Sequence, residues 1–122
     1  MRATFPTLKK NREFRALAQQ GKKWVTQSVI LQGARPCESH NNQIRVGYTV
    51  SRKVGGAVVR NKVKRRLRAA VREILSQKEW SLGDVVLIAR PGSFDHPYAD
   101  LVANVRWGLS HLERVLKEDD PT

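Results

Sequence analysis

The chain has 122 residues and a formal net charge of +12, with a sequence pI of about 10.7. This length accommodates one domain with a real hydrophobic core but is short for a two-domain enzyme, and so strong a positive balance is typical of nucleic-acid binders. A single cysteine, Cys37, excludes a disulfide framework and a thiolate metal cluster. Because no apolar run approaches the roughly 18 residues of a membrane span and no apolar signal core is present, we expect a cytoplasmic protein that contacts no membrane.

The first part of the chain predicts a helix followed by strands. Asn11 is a suitable N-cap for a helix that runs to about Gln20. Phe14 lies on the apolar side of this helix, where it is a core residue or, as the alternative, a base-stacking platform. Residues 24–34 are strand-like, and a break near Thr26–Gln27 would divide them into a short strand and a longer one.

The remaining strands and the last helix follow from residue spacing. Residues 35–43 suit a hairpin loop, and residues 44–51 alternate strictly, which predicts a strand with one buried face. The unbroken apolar run 85–89 predicts a strand inside the sheet. Pro97 opens a helix with apolar residues at helical spacing, and we expect Trp107 to be a core residue rather than an exposed platform.

Between the last two strands lies a long basic helix. From Arg60 to Arg68, six of nine residues are Lys or Arg and none is acidic. Apolar residues recur through this run at helical spacing, so one face packs on a core while cations occupy the other side. The apolar stripe consists of Val63, Leu67, Ala70, Val71 and Ile74. Like charges four residues apart repel, so this one-signed ladder favours a polyanion partner over a merely solvated face.

The order of elements predicts an α/β sandwich with one sheet and helices mainly on one face, including a parallel crossover through the basic helix. No protein active site is recognisable in it. The three histidines, His40, His96 and His111, have no metal-ligand spacing, and the serines lie in no nucleophile elbow. We therefore expect no catalytic residue and no metal or cofactor bound by the polypeptide itself.

Residues 50–68 read VSRKVGGAVVRNKVKRRLR. This segment resembles the signature of the protein subunit of bacterial ribonuclease P, and similar order, length and charge extend over about residues 5–116. The resemblance implies the order αβββαβα: a two-layer α+β sandwich with one mostly antiparallel sheet and a parallel crossover, like the second domain of ribosomal protein S5. Residues 1–122 would then form a single RNA-binding domain.

The resemblance also implies a function. The family's protein assists a catalytic RNA, as a 1:1 complex, in the endonucleolytic removal of the 5′ leader from precursor tRNA and other small precursor RNAs. It raises substrate affinity and broadens specificity, while Mg²⁺ is required by the holoenzyme through the RNA. Two other readings stay open: a ribosomal component of similar fold, and a stand-alone nuclease, for which the residues are missing.

Matching the family motif residue by residue implies two sets of contacts. The residues expected to bind the catalytic RNA are Arg60, Asn61, Lys62, Lys64, Arg65 and Arg68. The residues expected to bind the single-stranded leader are Phe14, Ala18, Ile30, Ser51, Arg52, Lys53 and Arg90. The chain departs from the family pattern at Lys62, where Arg is common, and at Ala18 and Gln32, where aromatic residues are common.

Overall fold

The structure, a computed structural model, describes residues 21–34 and 44–118, apart from the side chains of Phe94 and Glu118. The predicted helix over residues 11–20, with Phe14 and Ala18, lies outside the described residues. So does the loop over residues 35–43.

Four strands and two long helices make up the described part of the chain. The strands are β1 (Lys22–Val25), β2 (Val29–Gly33), β3 (Arg45–Thr49) and β4 (Asp84–Ala89). The basic helix spans Ala57–Leu75, the C-terminal helix spans Tyr98–Glu118, and a 3₁₀ turn at Ser93–Asp95 precedes the latter. The predicted division of residues 24–34 into two strands is confirmed, because β1 ends at Val25 and β2 begins at Val29.

The sheet has the strand order β1-β2-β4-β3. β2 pairs antiparallel with both β1 and β4, and β4 pairs parallel with β3, which confirms a mostly antiparallel sheet with a parallel crossover through the basic helix. The predicted hairpin between β2 and β3 is wrong, since β4 lies between them. β4 is apolar on both faces and therefore takes a central position, which places β3 at the edge.

One large core lies between the sheet and the two helices. The sheet contributes Val29, Leu31, Val46, Val85, Leu87 and Ala89, and the whole predicted stripe of the basic helix is buried against them. The C-terminal helix adds Leu101, Val105, Leu109, Leu112 and Leu116, as its spacing predicts. Among the described residues, the opposite face of the sheet carries a small cluster around Val86. The two described helices therefore share one face.

Trp107 is not a core residue, contrary to the prediction. Its side chain is 70% exposed. Two residues along a helix correspond to about 200° of rotation, so Trp107 points nearly opposite to Val105 and Leu109, which are both buried. The prediction followed the residue type and ignored this angle.

Glu113 fastens the C-terminal helix to the loop that follows the basic helix. Its carboxylate accepts hydrogen bonds from Lys78 Nζ at 2.8 Å and from the backbone N–H of Ser81 at 2.6 Å. Burial disfavours the ionised form, but the bonds from Lys78 and Ser81, with the positive charges of Lys78 and Lys117, outweigh it and lower the pKa of Glu113 below its ordinary value. The charged form is therefore the one that the fold stabilises.

We expect Glu113→Gln to destabilise the fold at neutral pH by about 1–2 kcal/mol, because a charge-assisted bond is weakened. The native pKa is lowered, so this contribution is present above the ordinary glutamate pKa and is lost as the pH falls through the native value. Thermal unfolding at neutral and acidic pH measures it. Glu79→Gln, which removes an exposed carboxylate of the same loop, is the control and should change little. An equal deficit at both pH values would contradict the assignment.

Candidate nucleic-acid interface

The basic helix begins with an uncapped, positively polarised end. Gly55 precedes it with φ of 158°, and a Cβ there would lie 2.8 Å from Val59 Cγ1, so only glycine allows this close approach. Gly56 occupies the N-cap position, where no side chain caps the helix, and the first turn has no acidic residue. The helix dipole therefore adds to the positive charge of the side chains that follow.

The five cations and one amide predicted to bind the catalytic RNA all lie within the first twelve residues of this helix. Asn61, Lys62, Arg65 and Arg68 are exposed, and Arg60 and Lys64 are half-buried. The apolar stripe faces the core on the other side. The structure therefore presents a cationic surface with no acidic side chain from the first turn onward until Glu73.

Arg68 is positioned by an aromatic ring of the sheet. Its guanidinium carbon lies 5.7 Å from the centre of the Tyr48 ring. Burial raises the pKa of Tyr48 to about 12, although Arg68 and Arg72 act in the opposite direction. The phenol therefore stays neutral, and its ring holds the arginine by a cation–π contact at the edge of the cationic surface.

Arg60 carries a donor that lacks a partner. Its Nε is buried and makes no hydrogen bond within the described part of the chain. Buried donors are nearly always satisfied, so this one gains an acceptor from outside only if the Arg60 side chain turns outward. Phosphate oxygens at the surface are acceptors of that kind.

Arg66 belongs to the same basic run, but its side chain makes contacts within the protein. Its Nη2 donates to the carbonyl oxygen of His96, and its guanidinium carbon lies 6.0 Å from the Tyr98 ring centre. Tyr98 in turn donates to Glu73 Oε2 at 3.5 Å. Arg66 therefore fixes the basic helix to the start of the C-terminal helix. Sequence composition could not separate it from its neighbours, because its acceptor lies thirty residues away.

The neighbouring positions Arg65 and Arg66 should therefore respond differently to alanine. Arg66→Ala is expected to cost about 1–3 kcal/mol of stability, because it leaves the His96 carbonyl unpaired and removes a cation–π contact. Arg65→Ala should stay within about 0.5 kcal/mol of the parent, as an exposed surface substitution does. Denaturant unfolding of both variants gives the comparison; equal midpoints would show that Arg66 has no such structural role.

Several of the residues predicted to bind the leader lie together at the carboxyl ends of β3 and β4. β3 and β4 are parallel and in register from Arg45 opposite Asp84 to Thr49 opposite Ile88, so the segments after them emerge at the same edge. Exposed Ser51, Arg52 and Lys53 follow β3, and Arg90 follows β4. These positions lie beyond the carboxyl ends of parallel strands, where α/β sheets commonly bind ligands.

Arg90 and Ile30 join this group from the β1–β2 side. Arg90 Nη1 donates to the Thr26 carbonyl at 2.7 Å, so the side chain also fixes the β1–β2 turn. Ile30 is half-buried opposite Ile88, on the sheet face away from the two helices. Five of the seven predicted leader residues are thus brought to one end of the sheet. The other two, Phe14 and Ala18, lie outside the described residues.

The described ranges 21–34 and 44–118 contain no cluster of three or more His, Cys, Asp or Glu side chains placed to hold a metal ion. Neither of their long helices combines the length and apolar character needed to cross a membrane.

Comparison with known sequences gives one family. The family model described as Ribonuclease P matches residues 3–113. The ribonuclease P protein component of Gluconacetobacter diazotrophicus is 40% identical over 99 residues, which cover 81% of this chain and 84% of the relative. The protein of the same name from Paramagnetospirillum magneticum is 37% identical over 118 residues, covering 94% and 86%.

Comparison with solved structures gives the same fold. The RNase P protein of Staphylococcus aureus superposes with a TM-score of 0.70 at 24% identity, covering 93% of this chain and 97% of the other. The RNase P protein of Thermotoga maritima gives a TM-score of 0.69 at 23% identity, covering 88% and 96%. At these identities the likeness establishes a shared fold.

Proposed function

Because the chain belongs to the ribonuclease P protein family, we propose that it acts in tRNA processing by holding a catalytic RNA on its basic helix and a precursor-tRNA leader at the strand ends. The observation that carries this proposal is the cationic surface of the basic helix. Its like charges repel one another in the free protein. An RNA backbone lying against them would remove that repulsion and release counterions.

In this proposal the basic helix supplies phosphate binding and no chemistry. The guanidinium groups of Arg65 and Arg68 are planar forks that bind phosphate oxygens in pairs, and Asn61 hydrogen-bonds backbone or sugar near the helix start. The cleavage itself belongs to the RNA subunit with its Mg²⁺. Since protein cations neutralise phosphates that would otherwise require metal ions, the protein's effect should be largest at low Mg²⁺.

The strand ends would hold the 5′ leader. Arg52 and Lys53 are exposed cations after β3, and Ile30 and Val25 provide apolar surface farther across the sheet, on β2 and β1. Single strands are held without strict sequence choice by a basic surface combined with faces on which bases can lie. The polypeptide then adds substrate affinity through a part of the precursor that mature tRNA lacks.

Reconstitution tests the proposal. The chain, a bacterial ribonuclease P RNA, and both together are assayed for leader removal from precursor tRNA at low Mg²⁺. We expect the mixture to cleave faster than RNA alone and to leave a mature 5′-phosphate end, while protein alone does nothing. A mixture no better than RNA alone would contradict the proposal, and so would a chain that instead cosediments with ribosomes and leaves tRNA ends unchanged.

A further inference from the structure

The C-terminal helix carries an aromatic surface that the proposed function does not use. Trp107 is 70% exposed, His111 follows one turn later, and Arg114 follows after about two turns. His111 stacks on Trp24 of β1, whereas Glu113 reaches the loop after the basic helix. The surface therefore lies on the flank of this helix that faces away from the basic helix. We call Trp24, Trp107, His111 and Arg114 the aromatic patch.

The aromatic patch is held in place before any partner binds. The Trp24 and His111 ring centres are 3.7 Å apart, with the planes inclined by 33°. Arg114 Nη2 lies 3.2 Å from His111 Nδ1, which places a cation at the end of the stack. Nearby, Asn104 Nδ2 donates to buried Ser28 Oγ at 2.8 Å and fixes the helix to the β1–β2 turn. A lone exposed tryptophan is ordinary, but one beside a preformed stack and an arginine is not.

Charge decides what kind of partner this surface fits. The chain carries a net charge of +12, and Arg114, the cation of the patch, is exposed. A second copy packed through the same patch would bring its own Arg114 and its own net positive charge against this one. Unpaired RNA instead offers bases for the exposed tryptophan face and phosphates for the arginine, which is the combination that single-strand binders use.

The position of β1 indicates which RNA segment would bind the aromatic patch. β1 is one of the two edge strands of the sheet that the described residues form, and its neighbouring residues Trp24 and Val25 face opposite sides. Val25 is 50% exposed and pairs with Ile30 of the predicted leader surface. A strand that passes over Ile30 and Val25 therefore reaches Trp24 by turning around this edge. Resting on the proposed function, we propose that the aromatic patch binds the distal, unpaired part of a long 5′ leader.

The test compares leader lengths in the reconstituted holoenzyme. Dissociation constants are measured for precursor tRNAs with a long leader, a leader confined to the strand ends, and no leader. Trp107→Ala should weaken binding of the long-leader substrate by about fivefold or more and leave the other two unchanged. Trp107→Phe should retain most of the affinity because it keeps a ring.

Arg114→Gln and Arg106→Gln form a matched pair on the same helix. Both arginines are exposed, but Arg106 lies about 100° around the helix from Trp107, whereas Arg114 lies only about 20° away. Arg114→Gln should weaken long-leader binding and Arg106→Gln should not. This pair keeps the proposal testable if the tryptophan variant folds poorly.

Three results would overturn the inference. Unchanged long-leader affinity in Trp107→Ala and Arg114→Gln would remove the site, and equal losses for all three substrates would assign the patch to the catalytic RNA. Self-association of the wild-type chain that Trp107→Ala abolishes would assign it to a second copy. If the wild-type chain itself binds leader-bearing and leaderless tRNA equally, the proposed leader site fails first and this extension falls with it.

Discussion

Replacing Arg65 and Arg68 together by alanine is expected to weaken binding of the catalytic RNA by about tenfold or more and to flatten its salt dependence. Each lost phosphate contact should reduce the slope of log K against log salt by about 0.7–0.9. Both side chains are exposed on the cationic surface, and Arg68 is aligned by Tyr48. The affinity loss follows because each guanidinium loses a charge-assisted hydrogen bond to phosphate, and about 0.7 kcal/mol from each of the two exposed contacts already gives a tenfold change.

The matched control removes the same charge elsewhere. Arg106 and Lys117 are exposed on the C-terminal helix, so Arg106→Ala with Lys117→Ala lowers the net charge by the same amount away from the basic helix. Titrations of both double variants at several salt concentrations provide the slopes. If the control double variant reduces the slope of log K against log salt as much, RNA binding depends only on the net charge of the chain, and the basic helix is not the binding surface.

Gly108→Val is expected to produce the largest loss of stability, by about 3 kcal/mol and roughly 10 °C in melting temperature. Gly108 is buried where the C-terminal helix crosses β2, and a Cβ there would lie 2.5 Å from Leu31 Cδ1. Leu31 is itself 0% exposed in the core, so it has no free space into which to move. The extra carbon atoms must therefore separate helix and sheet.

Ala103→Val provides the comparison for Gly108→Val. Ala103 lies on the same helix but is exposed, so valine there should cost only a few tenths of a kcal/mol through helix propensity. Thermal unfolding followed by circular dichroism measures both variants. A Gly108→Val chain as stable as Ala103→Val would mean that helix and sheet are not in close contact at Leu31.

The parts of the fold that sequence could predict are those fixed by local spacing. The stripe of the basic helix from Val63 to Ile74 is buried as its period predicts, and the apolar run in β4 is central. The hairpin between β2 and β3 could not be excluded in advance, because the strand that separates them comes some fifty residues after β2. Local alternation contains no information about a strand inserted later.

The predicted RNA contacts also divide into those that local spacing could predict and those that depend on distant segments of the chain. Arg60 to Arg68 share a helix, so their common surface followed from helical geometry. The structural position of Arg66 did not, because the His96 carbonyl and the Tyr98 ring come from a distant segment. Trp107 shows the converse error: its residue type indicated the core, although its angle from Val105 placed it outside.

One crosslinking measurement tests most directly whether the basic helix lies against the catalytic RNA. Cys37 is the only cysteine, so Arg65→Cys in a Cys37→Ser background can carry a photocrosslinker at one position, with Arg106→Cys in the same background as control. In the reconstituted holoenzyme with precursor tRNA, we predict that position 65 crosslinks to the catalytic RNA and position 106 does not. Crosslinks from position 65 to precursor tRNA alone, or equal yields from both positions, would contradict the account.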